Sequence, residues 1–497
     1  MQQCAGTGAR KAAALVAAVG TVVLTACAVG PDFKQPAAPA SAEYTPTTQP
    51  SSTVEAPGRG GAAQNFRSGA EVPANWWTLF HADELDALIR EAIAHSPTLA
   101  AAAATLRSAQ ENYAAQRGDA LLPSVDAQGS VTRESVPGAS FGQPNLPAST
   151  FTLYDASVSV AYRIDLFGGA RRSVEAARAQ AEYQQWEFEA ARLTLINNVV
   201  TTAVNVASLH EQVEAQEDIL HSEREQLAVI EKQLNAGAAS RADLLSQRAQ
   251  VAQSESVLPT LQKSLAQAQH RLAVLIGREP QTGSADFTFA SFTLPTELPL
   301  SVPARLVRQR PDVRAAEALL HESTAQLGVA TADLYPQLNL TGSIGSETVS
   351  ASDLFGAGTR AWSIGGSLMQ PLFHGGALTA RRRAARADLD RATAQYRETV
   401  LTALQDVADT LRALEADART LKADADGESA AADSLALTRR QYAAGAVSYV
   451  TLIVAERQYA QSRQARVQAL ASRYADTAAL FQALGGGWWN QEKSKRE

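Results

Sequence analysis

Apolar positions in the second half of the chain recur in alternating steps of three and four: Leu404, Val407, Leu411, Leu414, Ala418, Leu421 and Ala425. In the first half Val213, Leu220, Leu227 and Leu234 fall seven apart. Such spacing gathers the apolar side chains into one helical stripe and makes neighbouring helices wind left-handed around each other. Both stripes lie in long uninterrupted stretches. Ala170 to Ala236 runs for 67 positions without glycine or proline, and Ala377 to Ala444 runs for 68 with only Gly427 inside. At ~1.5 Å per residue each stretch could span on the order of 100 Å. A simple antiparallel coiled coil has the same periodicity. The alanine-rich remainder tells against it, since small residues on further faces let each helix touch two neighbours, as a closed ring of helices requires.

A second pattern has a period of two. Val158, Val160, Tyr162 and Ile164 alternate with Ser157, Ser159, Ala161 and Arg163; Leu338, Leu340, Gly342 and Ile344 alternate with Gln337, Asn339, Thr341 and Ser343; Trp362, Ile364, Gly366 and Leu368 repeat the pattern before Pro371. Alternation over about ten residues with small polar residues on one side is the mark of a transmembrane β-barrel strand, and equally of a half-exposed antiparallel sheet. Residues 136–149, with Pro137, Gly138, Gly142, Pro144 and Pro147, and residues 347–360, with Gly356 and Gly358, read as hairpin loops. The expected strands are about 123–134, 152–165, 336–347 and 361–371. Four strands cannot close a barrel; three chains would supply twelve.

These elements occur twice. Leu166-Phe167-Gly168-Gly169 and Leu372-Phe373-His374-Gly375-Gly376 open the long stretches, and Ala236-Gly237-Ala238 and Ala444-Gly445-Ala446 close them. Leu122-Pro123 answers to Tyr335-Pro336, and His95-Ser96-Pro97 to Arg310-Pro311-Asp312, so a unit of roughly 210 residues is duplicated, too long for a solenoid module. The two halves are expected at 76–290 and 291–497, the second with a C-terminal tail. Gly237 and Gly445 suit left-handed helix ends, with Ser240 and Ser448 capping the return helices. The turns Gly237, Ala238, Ala239, Ser240 and Gly445, Ala446, Val447, Ser448 are small enough to dock another protein's helical hairpin, or are simply tight turns.

The N-terminus adds an address. Arg10 and Lys11 precede the apolar stretch Ala12 to Leu24, and Leu24-Thr25-Ala26-Cys27 follows it. That arrangement reads as a lipoprotein signal peptide at 1–26, with the thiol of Cys27 carrying lipid. Ala28, where an aspartate would favour the inner membrane, points by analogy with enteric lipoproteins to the outer one. Residues 27–75 are rich in Pro, Ala, Ser, Thr and Gly and read as an extended tether, partly packed along the flank of the body. Loss of Arg10 and Lys11 takes the formal charge from −7 to −9, and an acidic chain does not suit nucleic acid. Arg171, Arg172, Arg381, Arg382 and Arg383 crowd the starts of both long stretches, where cations oppose the helix dipole. Their partners are expected to be lipid head groups at a membrane rim, or solvent.

Trp76-Trp77-Thr78-Leu79-Phe80-His81-Ala82-Asp83-Glu84-Leu85, Arg310-Pro311-Asp312-Val313-Arg314, Leu484-Gly485-Gly486-Gly487-Trp488 and Val29-Gly30-Pro31-Asp32-Phe33 resemble, in order, motifs of the outer-membrane factor (TolC-like) family, in its OprM/NodT-type efflux lipoprotein branch. The resemblance implies a mainly α fold with a β-barrel part: a homotrimer with a twelve-stranded transmembrane barrel continuous with a twelve-helix periplasmic α-barrel, lipid-anchored in the outer membrane. It implies passive conduction of small molecules delivered by an inner-membrane pump, most often of the resistance-nodulation-division class, through a periplasmic adaptor. It also implies a periplasmic gate of acidic residues just past the tips. Asp243 matches one of these, but Val454 stands where relatives carry aspartate and Val450 where they carry leucine, so the expected gate is an apolar ring with Asp243 beside it.

Enzyme chemistry finds no support. His321-Glu322-Ser323-Thr324-Ala325 lacks the second histidine of a zinc-protease helix, and no Gly-x-x-x-x-Gly-Lys phosphate loop is present. No cofactor or metal is expected beyond the lipid on Cys27, and Met369, the only methionine left after signal removal, tells against a methionine relay for copper. The alternative function is a periplasmic coiled-coil scaffold lipoprotein without a pore, which would lack the alternating strands.

Overall fold

The computed structural model describes residues 28–490 other than 42, 47, 48, 144 and 284. The expected signal peptide and Cys27 lie outside the described residues. In chain order the elements are β1 (Asn65–Ser68), α1 (Asp83–His95), α2 (Pro97–Leu121), β2 (Ser124–Val136), β3 (Ser149–Ile164), α3 (Gly169–Asn235), α4 (Arg241–Leu275), β4 (Glu297–Leu300), α5 (Pro303–Gln309), α6 (Pro311–Ala332), β5 (Gln337–Thr348), β6 (Arg360–Met369), α7 (Ala377–Ala443) and α8 (Tyr449–Ala483), joined by turns and short 3-10 segments. The duplication is visible in the lengths: α3 and α7 each have 67 residues, and α4 and α8 each have 35.

The chain forms two compact units. One takes the chain up to Gln35 together with Leu106–Gln184 and Ala316–Tyr396. It holds an antiparallel sheet in the order β2-β3-β5-β6. Each hairpin pairs within its own half, and β3 joins β5 across the halves in the register Val158↔Ile344. The strands differ from the expected spans by at most three residues, the largest shift being the start of β3 at Ser149. β6 stops at Met369, two residues before Pro371, which has no N–H to give to a ladder.

The other unit takes Pro36–Thr105, Gln185–Ala315 and the chain from Arg397. Its core contains Trp76, Phe80, Leu85, Ile89, Val199, Leu272, Phe289, Leu411 and Phe481, all buried. Trp76 stacks on Phe481 with ring centroids 5.1 Å apart, and Trp77 donates its indole N–H to Asp86 at 2.9 Å. The Trp76-Trp77 motif is therefore packing chemistry. Arg310 spreads its guanidinium over Asp312 (2.6 Å), Asp406 (2.9 Å) and the carbonyl of Ala483 (3.1 Å), and so ties α6 to α7 and to the end of α8.

One pairing was absent from the sequence reading. β1 runs parallel to β4, with Asn65 opposite Glu297, inside a segment expected to be an extended tether. Gln64, fully buried beside it, donates to the Pro295 carbonyl and the Thr477 hydroxyl, each at 3.0 Å. Thr53, Ala56, Gln64, Val72 and Ala74 of the segment before Trp76 are thus buried in this unit.

The run Gly485-Gly486-Gly487 has a steric reason. All three residues have positive φ, and a Cβ on Gly487 would lie 2.5 Å from the carbonyl oxygens of Val72 and Pro73. Gly487→Ala is expected to destabilise the protein by about 2–3 kcal/mol, combining left-handed strain with that clash. Gly69→Ala, at φ +81 with nothing nearby, should cost only about 1 kcal/mol. Thermal melting of the two variants checks this; equal losses would show that the close approach does not matter.

Candidate functional site

Three regions carry the function-bearing residues. The first is the sheet. Its register places Val125, Ala127, Val158, Val160, Ile344 and Trp362 on one face, and Asp126, Gln128, Ser157, Ser159, Ser343 and Ser363 on the other. One face is fit for hydrocarbon and the other for water. Among the described residues neither edge, β2 or β6, carries a further strand.

The second region is the start of α3. Arg172 is not the lipid-facing residue the sequence suggested: its side chain is 6% exposed and pairs with Asp32 at 2.5 Å and Glu175 at 2.7 Å. His321 approaches Glu175 at 2.8 Å, and Phe33 stacks on the His321 ring at 4.4 Å. Burial raises the pKa of Glu175, but Arg172 and His321 outweigh it and hold it below the usual carboxylate range. Arg171 pairs with Asp165 at 3.1 Å, and Asp165 also accepts the Arg171 backbone N–H at 2.9 Å. Carboxylates of the protein, not lipid phosphates, offset these two cations against the helix dipole. The Val29-Gly30-Pro31-Asp32-Phe33 segment is what they hold, with the Val29 N–H donating to the Phe167 carbonyl at 3.0 Å. Arg381, Arg382 and Arg383 are all exposed, as a rim contact needs.

The third region is the pair of helical turns. Both are built alike. Gly237 and Gly445 each have φ +74, and the N–H of Ala238 reaches the Gln233 carbonyl at 2.7 Å as that of Ala446 reaches Gln441 at 2.9 Å. Ser240 and Ser448 cap α4 and α8. Gly237, Ala238, Ser240, Gly445, Ala446 and Ser448 are exposed, while Ala239 and Val447 are half-buried. Beneath them Ile230, Leu435, Tyr449, Leu452 and Ile453 form a small core of their own.

Asp243 has a structural duty that the sequence reading missed. Its carboxylate accepts the Ser240 N–H at 3.0 Å and the Ser240 hydroxyl at 2.7 Å, completing a capping box whose signature was legible as Ser-x-x-Asp. Val450 and Val454 lie four apart on the exposed face of α8 and remain 60% and 59% exposed, whereas Leu452 and Ile453 on its other face are buried. Among the described residues none covers the two valines.

The family model for the outer membrane efflux protein matches residues 88–278 and 302–486. The chain belongs to the outer membrane efflux protein family. It is 32% identical over 420 residues to the pyoverdine export outer membrane protein OpmQ of Pseudomonas putida, covering 83% of this chain and 88% of that one. Among solved structures it is similar to the outer-membrane channel OprN (27% identity, 93% of this chain and 99% of that one, TM-score 0.80) and to VceC of Vibrio cholerae (26% identity, 84% and 100%, TM-score 0.77). Fold and role follow from that membership: a helical barrel with a β part, acting as an outer-membrane efflux channel.

One half-buried ionisable group of this efflux protein stands apart from the expected sites. Burial, then the hydrogen-bonded carboxyl of Asp476, push Asp417 up to about 7 against the pull of Arg473. Arg473 is itself fully buried and donates to the Ala62 carbonyl at 2.7 Å and the Thr53 hydroxyl at 3.2 Å. A carboxyl group whose pKa is raised on folding imposes no penalty below its unfolded pKa of ~3.9, and a growing one as pH rises, levelling off above about 7. Asp417→Asn is therefore expected to raise the melting temperature at pH 8 and leave it unchanged at pH 4. A gain at pH 4 as large as at pH 8 would contradict this reading.

Proposed function

We propose that three copies of this chain join edge to edge, β6 of one against β2 of the next, and close twelve strands into a barrel across the outer membrane. The observation that carries this is the two-edged sheet with one apolar face. In hydrocarbon each unpaired backbone group costs several kcal/mol, and closure is the remedy. The helices of three copies would line a conduit continuing into the periplasm. The paired turns at Gly237, Ala238, Ala239, Ser240 and Gly445, Ala446, Val447, Ser448 would receive a periplasmic adaptor that links the channel to an inner-membrane pump, of the resistance-nodulation-division class. Arg381, Arg382 and Arg383 would meet lipid head groups at the periplasmic rim. Relatives named for pyoverdine export, toluene efflux and cation efflux all align with this chain, which supports a conduit whose cargo is chosen by the pump.

Cys27 is proposed to carry lipid that assists targeting, since a barrel supplies a far larger apolar band than one acylated residue. Mass spectrometry of the mature N-terminus should find a diacylated or triacylated cysteine; an unmodified cysteine would contradict the proposal.

Val450 and Val454, repeated threefold, would stack two apolar rings across the conduit and block ions by dewetting rather than by charge. Asp243 would add a cation preference. Single-channel recordings test both parts. Val454→Asp should raise the resting conductance several-fold. Asp243→Asn, which keeps an acceptor for the Ser240 cap, should leave conductance largely unchanged and reduce cation selectivity. An unchanged conductance in Val454→Asp together with an open channel in Asp243→Asn would overturn the apolar seal.

A further inference from the structure

The apolar face of the sheet is not a uniform belt. Three successive cross-strand rows on it read Gly129-Ala156-Ser346-Arg360, Ala127-Val158-Ile344-Trp362 and Val125-Val160-Gly342-Ile364. The last row has a glycine where its neighbours have branched side chains. A Cβ on Gly342 would meet only the Ser363 carbonyl oxygen, at 3.8 Å, so the surface is hollow there. The hollow is part of a groove of about 750 Å³ walled by Val158, Val160, Ile344, Trp362 and Ile364, with Arg360 at one end. Trp362 and Ile364 are 70% and 83% exposed, so these walls are left largely uncovered by the described residues.

Arg360 lies at the hairpin end of the sheet, where β6 begins after the loop that leaves β5. The opposite strand ends lead into the helices, so the hairpin ends are the extracellular ones. From Arg360 to Leu368 the strand advances about 27 Å, close to the ~25 Å height of the apolar band of such barrels. If Leu368 sits at the periplasmic margin, Arg360 is level with the outer-leaflet head groups, and Trp362 is at the depth of an aromatic girdle. Among the described residues the Arg360 guanidinium makes no ion pair or side-chain hydrogen bond. A lone arginine facing lipid at head-group depth suits a phosphate, which its planar fork can bind in bidentate fashion. Below it the groove follows β6 for about 13 Å to Ile364, the direction an acyl chain would take.

We propose that this groove holds one acyl chain of a phosphorylated outer-leaflet lipid, and that Arg360 pairs with the lipid's phosphate. The proposal rests on the barrel reading above, which makes this face the lipid-facing one. It adds a specific lipid site to a surface otherwise expected only to be greasy.

The test uses the full-length protein, delipidated in detergent and titrated with lipid A, with bound lipid counted by native mass spectrometry. Heat-modifiable electrophoretic mobility is recorded on every sample. The unsubstituted protein should bind lipid A in preference to zwitterionic phosphatidylcholine. Arg360→Ala and Arg360→Gln should each weaken binding about fivefold, the effect of one arginine near a charged surface, while Arg360→Lys keeps most of it. Gly342→Leu should fill the hollow and lower occupancy with the cation still in place. Lipid A binding unchanged in Arg360→Gln and in Gly342→Leu, in samples that keep their heat-modifiable form, would overturn the lipid site alone. Absence of that form in the unsubstituted protein would overturn the barrel and the lipid site together.

Discussion

The constraint on which this molecule depends is the backbone of β2 and β6. Each is an edge strand, 13 and 10 residues long, with one row of N–H and C=O groups facing no partner strand among the described residues. Water would satisfy those groups, but lipid cannot. A sheet with one face of valine, isoleucine, tyrosine and tryptophan suits lipid, and in lipid its edges would have to be paired by another copy, as proposed above. The same constraint explains the opposite face: once closed, it encloses water, and Asp126, Gln128, Ser159 and Ser343 belong there.

In the helical unit the problem is a different one, since its chain must satisfy polar groups inside a packed body. Arg310 does so by bridging three segments, while Gln64 and Arg473 fasten the residues before Trp76 to Pro295 and α8. Arg172 is handled similarly in the sheet-bearing unit, by Asp32 and Glu175. Several of the family's motifs are therefore structural knots. Asp32, Trp76, Arg310 and Gly487 each hold chain segments together.

The duplication, the long helices, the hairpins and the turn glycines were legible because each has a periodic or punctuated signal: steps of three and four, alternation, or Gly237 and Gly445 after an unbroken run. The β1 and β4 pair was not, because four-residue parallel strands, one containing Pro299, have no period to detect. The role of Arg172 was misjudged for a related reason. Local sequence shows three arginines near a helix start as much as five, but only the fold brings Asp32 from 140 positions away to neutralise one of them. Asp243 was singled out for the conduit by its spacing from Gly237, and its capping duty was overlooked although Ser240 three residues earlier announced it. The raised pKa of Asp417 could not have been read at all, since it depends on burial and on Asp476, 59 positions further along the chain.

The central claim is that β6 of one copy pairs with β2 of the next and that three such junctions close the ring. The most direct measurement fixes a cysteine at Ser130 on β2, in a protein whose only other cysteines are Cys4 and Cys27, and moves a second cysteine along β6 from Arg360 to Met369. Oxidation in native outer membranes should produce, at one register, a ladder of covalent species that ends at three chains. No cross-link at any register, or a ladder that ends at two chains or continues beyond three, would contradict the account.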